Sequence, residues 1–233
     1  MKIGITLPQF RHEAGSAIEA ARRAEDLGLD GVFCFDHLWP MGQPDRPALS
    51  MAPLLGALAA STSTISVGTL VARVGLVPDG VLVAALSSLA TISSGRMIAG
   101  IGTGDRLSRQ ENEAFGIPFE PGAERRAQLT SVASALRKLG LPVWIGGGRP
   151  KTVAVARDLG VAVNLWDGEP FRVAELTAEG MEVTWAGPVG PSEAATVARL
   201  QEVAGAGATW AVCAWPESLE SLARAAEVAR ITR

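Results

Sequence analysis

A repeated order of elements constrains the fold of this chain more than any other feature of its sequence. A helical segment rich in Ala, Leu and Arg ends at a glycine, and an apolar strand follows within a few residues. This happens at Ala17–Leu27 before Val32–Phe35, Gln128–Leu139 before Val143–Ile145, Pro150–Leu159 before Val161–Leu165, and Ala194–Ala204 before Trp210–Trp215. A glycine just after a helix accommodates the left-handed residue that closes it. The pattern therefore predicts helices that alternate with the strands of a parallel sheet.

Other segments continue the alternation. We predict further strands at Ile3–Leu7, Ile65–Thr69, Met97–Ile101 and Met181–Trp185, and further helices at Met51–Ala60, Pro78–Ile92 and Ser218–Ile231. Together they make about eight βα units, the number that closes a TIM barrel. We expect an α/β fold, a (β/α)8 TIM barrel with reduced insertions that forms a single domain over residues 1–233. An open doubly wound sheet is the alternative.

The composition limits the classes of function. The net charge of −3, with no block of like charges, offers nucleic acid no basic surface. Cys34 and Cys213 lie in apolar runs, which predicts buried thiols rather than a disulfide or a metal site. Met1–Pro8 has the pattern of a strand rather than a signal peptide, and no apolar run reaches membrane-spanning length. We therefore expect a cytoplasmic protein with no metal centre.

The segment Gly31–Trp39 carries the strongest functional signal. The apolar run Val32–Phe35 leads directly into Asp36 and His37, which places both at the carboxyl end of a buried strand. Parallel α/β folds have their chemistry at that edge. His37 is one of 2 histidines in the chain, and histidine is the side chain that exchanges protons near neutral pH. His12, the other one, has the sequence context of a solvated loop.

Three strand ends are rich in glycine. They lie in Val67–Val71, Gly100–Asp105 and Ile145–Pro150. Glycine lets a ligand approach the backbone, and the third segment opens onto a helix beside Arg149 and Lys151, as a phosphate site would. Relief of crowding at a strand end is the alternative for each of them, and a tight turn between strand and helix is the alternative for Gly146–Gly148.

Five motifs occur along the first two thirds of the chain, up to Trp166. They are Asp36–Trp39, Val67–Thr69, Ser94–Arg96 followed by Gly100–Gly104, Ala114–Phe119, and Val143–Gly147. In this order they resemble the bacterial luciferase-like monooxygenase superfamily, in particular its members that use the deazaflavin coenzyme F420.

The resemblance implies a barrel that holds a tricyclic ring at its mouth. His37 would be the catalytic acid or base, and Asp36 would orient it or bind the polar edge of the ring. Leu70 and Val71 match a bulge with a non-proline cis peptide. The remaining positions implied to bind the cofactor are Gly102, Thr103, Gly104, Asp105 and Ser108 beside the ring, and Gly146, Gly147, Gly148 and Arg149 at its phosphate.

The chain also departs from the family. Family members have an excursion before the fifth strand and another near the seventh, whereas Leu136–Pro142 and Asn164–Met181 are short here. We expect a more open pocket, or one that a partner chain closes. We further expect Trp39 to pack at the barrel edge and Glu111 and Glu113 to face water or begin a helix. Arg125 and Arg126 should lie on a solvated helical face, from which one could reach a phosphate.

The sequence thus favours an F420-dependent oxidoreductase that transfers a hydride between the coenzyme and a small organic substrate. Two alternatives are an FMN-dependent luciferase-like monooxygenase and a protein that binds a flavin or deazaflavin without turnover. The expected partner is a small-molecule substrate rather than nucleic acid or membrane, and the lightly charged helices favour a homodimer.

Overall fold

The computed structural model of the protein describes residues 1–216 and 218–231. The strands are β1 (Lys2–Thr6), β2 (Gly31–Cys34), β3 (Ser66–Thr69), β4 (Ala72–Arg73), β5 (Met97–Gly102), β6 (Val143–Gly146), β7 (Ala162–Trp166), β8 (Val183–Gly187) and β9 (Trp210–Cys213). The helices are α1 (Gly15–Asp26), α2 (Met51–Ser61), α3 (Asp79–Ile92), α4 (Ser108–Ala114), α5 (Gly122–Lys138), α6 (Pro150–Leu159), α7 (Pro170–Ala178), α8 (Glu193–Gly205) and α9 (Leu219–Ile231).

Eight of the strands close into a parallel barrel in the order β1-β2-β3-β5-β6-β7-β8-β9, and β9 pairs back with β1. The pairing of β3 with β5, with Val67 opposite Met97, completes the ring. The two-residue strand β4 lies beyond β3 and pairs with the carboxyl end of β5. The predicted (β/α)8 barrel is confirmed, and the alternative of an open doubly wound sheet is wrong.

The main differences from the predicted elements lie between β5 and β6. Helix α5 begins at Gly122 instead of Gln128, and α4 was not predicted. The buried side of α4 consists of Ser108, Glu111 and Asn112. Hydrophobic periodicity therefore gives no signal for this helix, because its buried face is polar.

Aromatic rings fill the inside of the barrel. Phe33 stacks on Trp144 with ring centroids 5.2 Å apart, and the Trp144 and Trp210 rings meet edge to face at 5.4 Å. Gly68 on β3 faces this group: a Cβ there would lie 2.6 Å from the Phe33 ring. Glycine at such positions makes room for the large rings, in keeping with the layered packing of barrel interiors.

A larger apolar layer packs the helices against the outside of the barrel. Cys34 and Cys213 are buried free thiols, as predicted. Burial raises the pKa of both thiols, that of Cys213 to about 12. Over residues 1–216 and 218–231, no helix has both the length and the hydropathy that crossing a membrane requires.

Candidate active site

A cavity of about 830 Å³ opens at the carboxyl ends of the strands. The predicted site residues that line it are His37, Leu70, Val71, Gly102, Thr103, Gly104, Asp105, Ser108, Gly146, Gly147, Gly148 and Arg149. Asp36 does not line the cavity. The volume lies in the upper part of the range usual for ligand sites, about 300–1,000 Å³.

Glu111 holds His37 at the wall of this cavity. The Nδ1 atom of His37 lies 2.9 Å from Oε2 of Glu111, and the Leu38 N–H donates to Oε1. The Glu111 side chain is 2% exposed and that of His37 is 18% exposed. The expectation that Glu111 faces water or begins a helix is confirmed in its second part, since Glu111 lies in the first turn of α4, but the residue does not face water, because this short helix turns its polar side inward. Glu113, two residues further along and therefore on the opposite side of α4, does face water.

A buried arginine balances this carboxylate. Nη2 of Arg73, on β4, lies 3.0 Å from Oε2 of Glu111 in an ion pair. The same guanidinium donates from Nε to the Asp36 carbonyl oxygen at 2.7 Å and from Nη1 to Oδ1 of Asn112 at 3.2 Å. Buried charges need such partners, because water no longer solvates them. Our sequence reasoning missed Arg73, although a single charged residue in the apolar stretch Leu70–Val74 is a usable signal.

Asp36 belongs to the same network but has a different partner from the one expected. Its Oδ2 atom accepts the backbone N–H of Arg73 at 2.9 Å. Burial raises the pKa of Asp36, and the N–H and charge of Arg73 oppose the rise only in part. The carboxylate that orients His37 is therefore Glu111 and not Asp36. Contact between Asp36 and a cofactor stays a prediction.

The environment of Glu111 keeps it ionised. Burial alone would raise its pKa, but the hydrogen bonds from His37 and the Leu38 N–H, together with the charge of Arg73, outweigh burial and lower the pKa. An ionised Glu111 accepts the proton on Nδ1 of His37, which leaves Nε2 as the ring nitrogen that can exchange a proton. Within residues 1–216 and 218–231, no side chain or backbone group pairs with Nε2.

Two of the predicted glycines make room for Val71. The peptide bond between Leu70 and Val71 is cis, as the resemblance implies. A Cβ at Gly102 or at Gly146 would lie 2.6 Å from the Val71 side chain. Relief of crowding thus explains these two positions, and Val71 in turn forms part of the cavity wall.

The third glycine bend leads into α6 as expected. Gly147 has φ +119° and Arg149 precedes the first helical residue, Pro150. Gly147, Gly148, Arg149 and Thr152 all line the cavity. A bend with backbone amides and an arginine at a helix N-terminus is suited to an anion.

Further arginines line the cavity from α5, from α4 and from the loop before α4. Nη1 of Arg125 donates to the Gly104 carbonyl oxygen at 3.0 Å, and its guanidinium lies 3.9 Å from the Phe119 ring centroid. Arg106, Arg109 and Arg126 line the cavity as well. Arg125 and Arg126 lie on a helix as expected but are half-buried at the cavity rather than fully solvated, because α5 begins six residues earlier than predicted. That one of them reaches a phosphate stays a prediction.

Asp105 is an exposed residue in the wall of the cavity, in the loop before α4. Its Oδ1 atom accepts the N–H groups of Leu107 and Ser108, at 2.9 and 3.0 Å, and so closes the first turn of α4. This contact explains why a short carboxylate suits the position.

Apolar side chains form another part of the wall. Phe10 stacks on Phe35 with centroids 5.9 Å apart, and Phe35 meets Trp166 edge to face at 5.8 Å. Trp39 is buried against Phe115, with centroids 5.4 Å apart, so its predicted packing role is confirmed. His12 lies in an exposed loop, also as predicted.

Comparisons with known proteins agree with these features. A model of the luciferase-like monooxygenase family matches residues 1–139. An F420-dependent glucose-6-phosphate dehydrogenase of Beutenbergia cavernae is 35% identical over 125 residues, which are 53% of this chain and 35% of that protein. A 5,10-methylenetetrahydromethanopterin reductase of Archaeoglobus fulgidus is 28% identical over 65% of this chain and 50% of the relative. The chain thus spans half or less of the length of these relatives.

One solved structure has a similar fold over almost the whole length of both chains. It is an F420-dependent secondary alcohol dehydrogenase in complex with an F420-acetone adduct, and it superposes with a TM-score of 0.82 over 98% of this chain and 99% of that chain. The sequence identity of 13% limits this likeness to the fold.

Proposed function

The chain belongs to the luciferase-like monooxygenase family, and from this premise we propose that it is an oxidoreductase that uses coenzyme F420. It would transfer a hydride between the coenzyme and a small organic substrate. The Beutenbergia cavernae relative supports the choice of coenzyme, since it is named as F420-dependent, and the Archaeoglobus fulgidus relative, named as a reductase, supports an oxidoreductase. Residues 1–139, which the family model covers, supply His37, Arg73 and Glu111.

One observation carries the proposal. His37 lines the cavity, and its Nδ1 atom is engaged by a buried, ionised glutamate. A histidine held in this way presents one ring nitrogen to a ligand in a fixed orientation and tautomer. General acid–base catalysis requires such a group within reach of the reacting atom.

The cavity fits the chemistry of F420 in size and in charge. A tricyclic ring with an anionic tail needs an apolar slot that leads to cations. Val71, Leu70 and the glycine strand ends provide the slot, while Arg149, Gly148 and the first turn of α6 provide the anion site. Arg125 and Arg126 add positive charge to the same cavity.

Bound F420 would supply the redox chemistry, giving a hydride to a carbonyl carbon when reduced and accepting one from an alcohol when oxidised. His37 balances the protons: its Nε2 gives a proton to the carbonyl oxygen in the first direction and takes one from the hydroxyl in the second. Glu111 stabilises the imidazolium that forms in the second direction, and Arg73 keeps Glu111 ionised.

Titration of the purified protein with F420 and with FMN tests the proposal. We expect F420 to bind with the lower Kd, and the Arg149→Ala variant to bind it about tenfold more weakly, since a charge-assisted contact to the phosphate is lost. Arg157→Ala is the matched control, because Arg157 lies on the same helix but pairs with Glu179 at the surface.

Two outcomes would favour the alternatives. Tighter binding of FMN, with oxygen consumption, would identify a monooxygenase. Tight binding of F420 without hydride exchange across alcohols, ketones and enones would identify a binding protein.

The cytoplasmic location, the single domain over residues 1–233 and the homodimer remain predictions. Light scattering at micromolar concentration tests the last of these.

A further inference from the structure

The aromatic contact between Phe35 and Trp166 spans the mouth of the barrel. Phe35 directly follows β2 and Trp166 ends β7. In the closed ring, β2 and β7 are separated by three strands on either side, namely β3, β5 and β6 on one side and β1, β9 and β8 on the other. The two rings, which meet at 5.8 Å, therefore connect opposite points of the rim.

This pair forms one boundary of the cavity. The cavity is lined by residues that follow β2 and β3, by Arg73 on β4, by residues that end or follow β5 and β6, by Asn164 and Trp166 on β7, and by Phe10, which stacks on Phe35. Of the described residues, none that follows β8 or β9 lines it. Any ligand in this half of the mouth thus meets the Phe35–Trp166 pair on one side.

Most charged side chains of the cavity follow β5, which β3 separates from β2 and β6 separates from β7, while Arg149 follows β6 next to the strand that carries Trp166. The exposed or half-exposed arginines of the cavity belong to the segments that follow β5 and β6, at positions 106, 109, 125, 126 and 149. The boundary itself consists of Phe10, Phe35, Met41 and Trp166, and His37 is the one titratable side chain that follows β2 on the cavity wall.

The two sides would accept different chemistry. An aromatic wall gains from stacking with a flat conjugated ligand. Its one side-chain hydrogen-bond group is the indole N–H of Trp166, so most hydroxyl groups of a polyol would be left unpaired against it, which disfavours binding. The Trp166 side is also open to a ligand, since 49% of this residue is exposed.

We propose that the substrate is a flat, largely apolar carbonyl compound, of the class of conjugated ketones and quinones, that stacks against the Phe35–Trp166 pair beside His37. This inference rests on the proposed function, because the coenzyme takes up the arginine side of the cavity. It separates this chain from relatives named for a phosphorylated sugar.

The test is calorimetric titration of the protein loaded with oxidised F420. The planar probe is menadione and the contrasting probe is glucose 6-phosphate. We expect menadione to bind with the lower Kd, and Trp166→Ala to raise its Kd about tenfold while the Kd of F420 changes less than twofold. Trp166→Phe, which keeps a ring, should raise the menadione Kd by less than Trp166→Ala does.

Trp215→Ala is the matched control. Trp215 is 40% exposed near the same end of the barrel, but it does not line the cavity, and its removal should leave the menadione Kd unchanged. Preferential binding or oxidation of glucose 6-phosphate, or equal effects of the two tryptophan variants, would overturn the substrate class while the proposed function stands. Failure of the protein to bind F420 at all would overturn both.

Discussion

At the scale of single residues, the site depends on how its buried ionisable groups share charge. Glu111 pairs with the buried cation Arg73 through Oε2, and the same oxygen contacts Nδ1 of His37. Burial raises the pKa of Asp36, whereas the contacts with His37, the Leu38 N–H and Arg73 lower that of Glu111. Ionised Glu111 thus holds His37 at the cavity wall, where a ligand can exchange a proton with it.

Replacement of His37 by Ala tests this role. We expect turnover with F420 and a suitable substrate to fall about a hundredfold or more, since general acid–base catalysis commonly contributes that much. The Kd of F420 should change little, because the anion site lies at α6. Steady-state kinetics at 420 nm and a coenzyme titration measure the two quantities.

His12→Ala is the control for that variant, since His12 is exposed in the loop after β1. Its turnover should equal that of the unmodified protein. Equal turnover of His37→Ala and His12→Ala would remove His37 from the mechanism.

Replacement of Glu111 by Gln tests positioning separately from proton exchange. Gln keeps the length and an acceptor for the Leu38 N–H, but it loses the charge that faces His37 and Arg73. We expect kcat to fall about tenfold with little change in the KM for F420, because only the orientation of the proton-exchanging group is altered. The melting temperature should also fall, since Arg73 loses a buried counter-charge.

A double-mutant cycle distinguishes this role from a general loss of structure. If Glu111 acts through His37, the Glu111→Gln change has no further effect on kcat once His37 is Ala. Glu113→Gln, on the exposed side of the same helix, should alter neither kcat nor stability. A full tenfold effect in the His37→Ala background would contradict the positioning role.

The sequence predicted some of these residues and missed others for a physical reason. His37 and the glycine bends follow directly from strands, so the strand pattern locates them. Arg73, Glu111 and Arg125 act through contacts between distant segments, and apart from the apolar neighbours of Arg73 no local pattern encodes which charged residue is buried. Arg73 belongs to a two-residue strand and Glu111 to a seven-residue helix, both too short for periodicity to reveal.

At the scale of elements, Glu25 fixes the end of α1 to the chain that enters β3. Its Oε1 atom accepts the backbone N–H groups of Ser63, Thr64 and Ile65 at 2.9, 2.6 and 2.9 Å. Burial would raise its pKa, but the three N–H donors outweigh burial and lower the pKa to about 2. A single carboxylate thereby accepts three backbone N–H groups of a turn whose hydrogen bonds are not made within a strand or a helix.

Replacement of Glu25 by Gln should lower the free energy of unfolding at pH 7 by about 2 kcal/mol, the usual size for hydrogen bonds to a charged group. Because the folded pKa is depressed, the contribution of Glu25 is fully present above its unfolded pKa of about 4.5. It is lost as the pH falls toward 2. The difference in unfolding free energy between the unmodified protein and Glu25→Gln should therefore be about half as large near pH 3 as at pH 7. Urea unfolding at several pH values measures it.

Glu19→Gln is the control on the same helix, since Glu19 is exposed. It should change the unfolding free energy by less than about 0.5 kcal/mol at every pH. If the loss of unfolding free energy caused by Glu25→Gln is the same at pH 7 and pH 3, the ionised carboxylate does not stabilise the turn through its hydrogen bonds.

At the scale of the whole molecule, short connections define the shape of the mouth. Four residues join α5 to β6, and α7 is the single described helix between β7 and β8. The sequence predicted that both excursions are missing, because Leu136–Pro142 and Asn164–Met181 are too short to hold them. It did not predict the aromatic contact across the rim, since which residues meet depends on the closure of the ring and not on any local segment.

Closure of the ring also depends on what fills it, and Gly68 provides the test. A Cβ at this position would lie 2.6 Å from the Phe33 ring and 2.9 Å from the Ile98 carbonyl oxygen, so the Gly68→Ala variant must shift a ring that is packed against Trp144 and Trp210. We expect a loss of about 1–3 kcal/mol in the free energy of unfolding, as for other overpacked cores. Gly56→Ala is the matched control: Gly56 lies within α2 with open space around its Cα, and alanine should stabilise that helix by about 0.5–1 kcal/mol. The effect of the added methyl group on the free energy of unfolding should thus be destabilising inside the barrel and stabilising on its outer helices. Equal effects in urea unfolding would show that the aromatic residues inside the barrel are packed loosely enough to accept the methyl group.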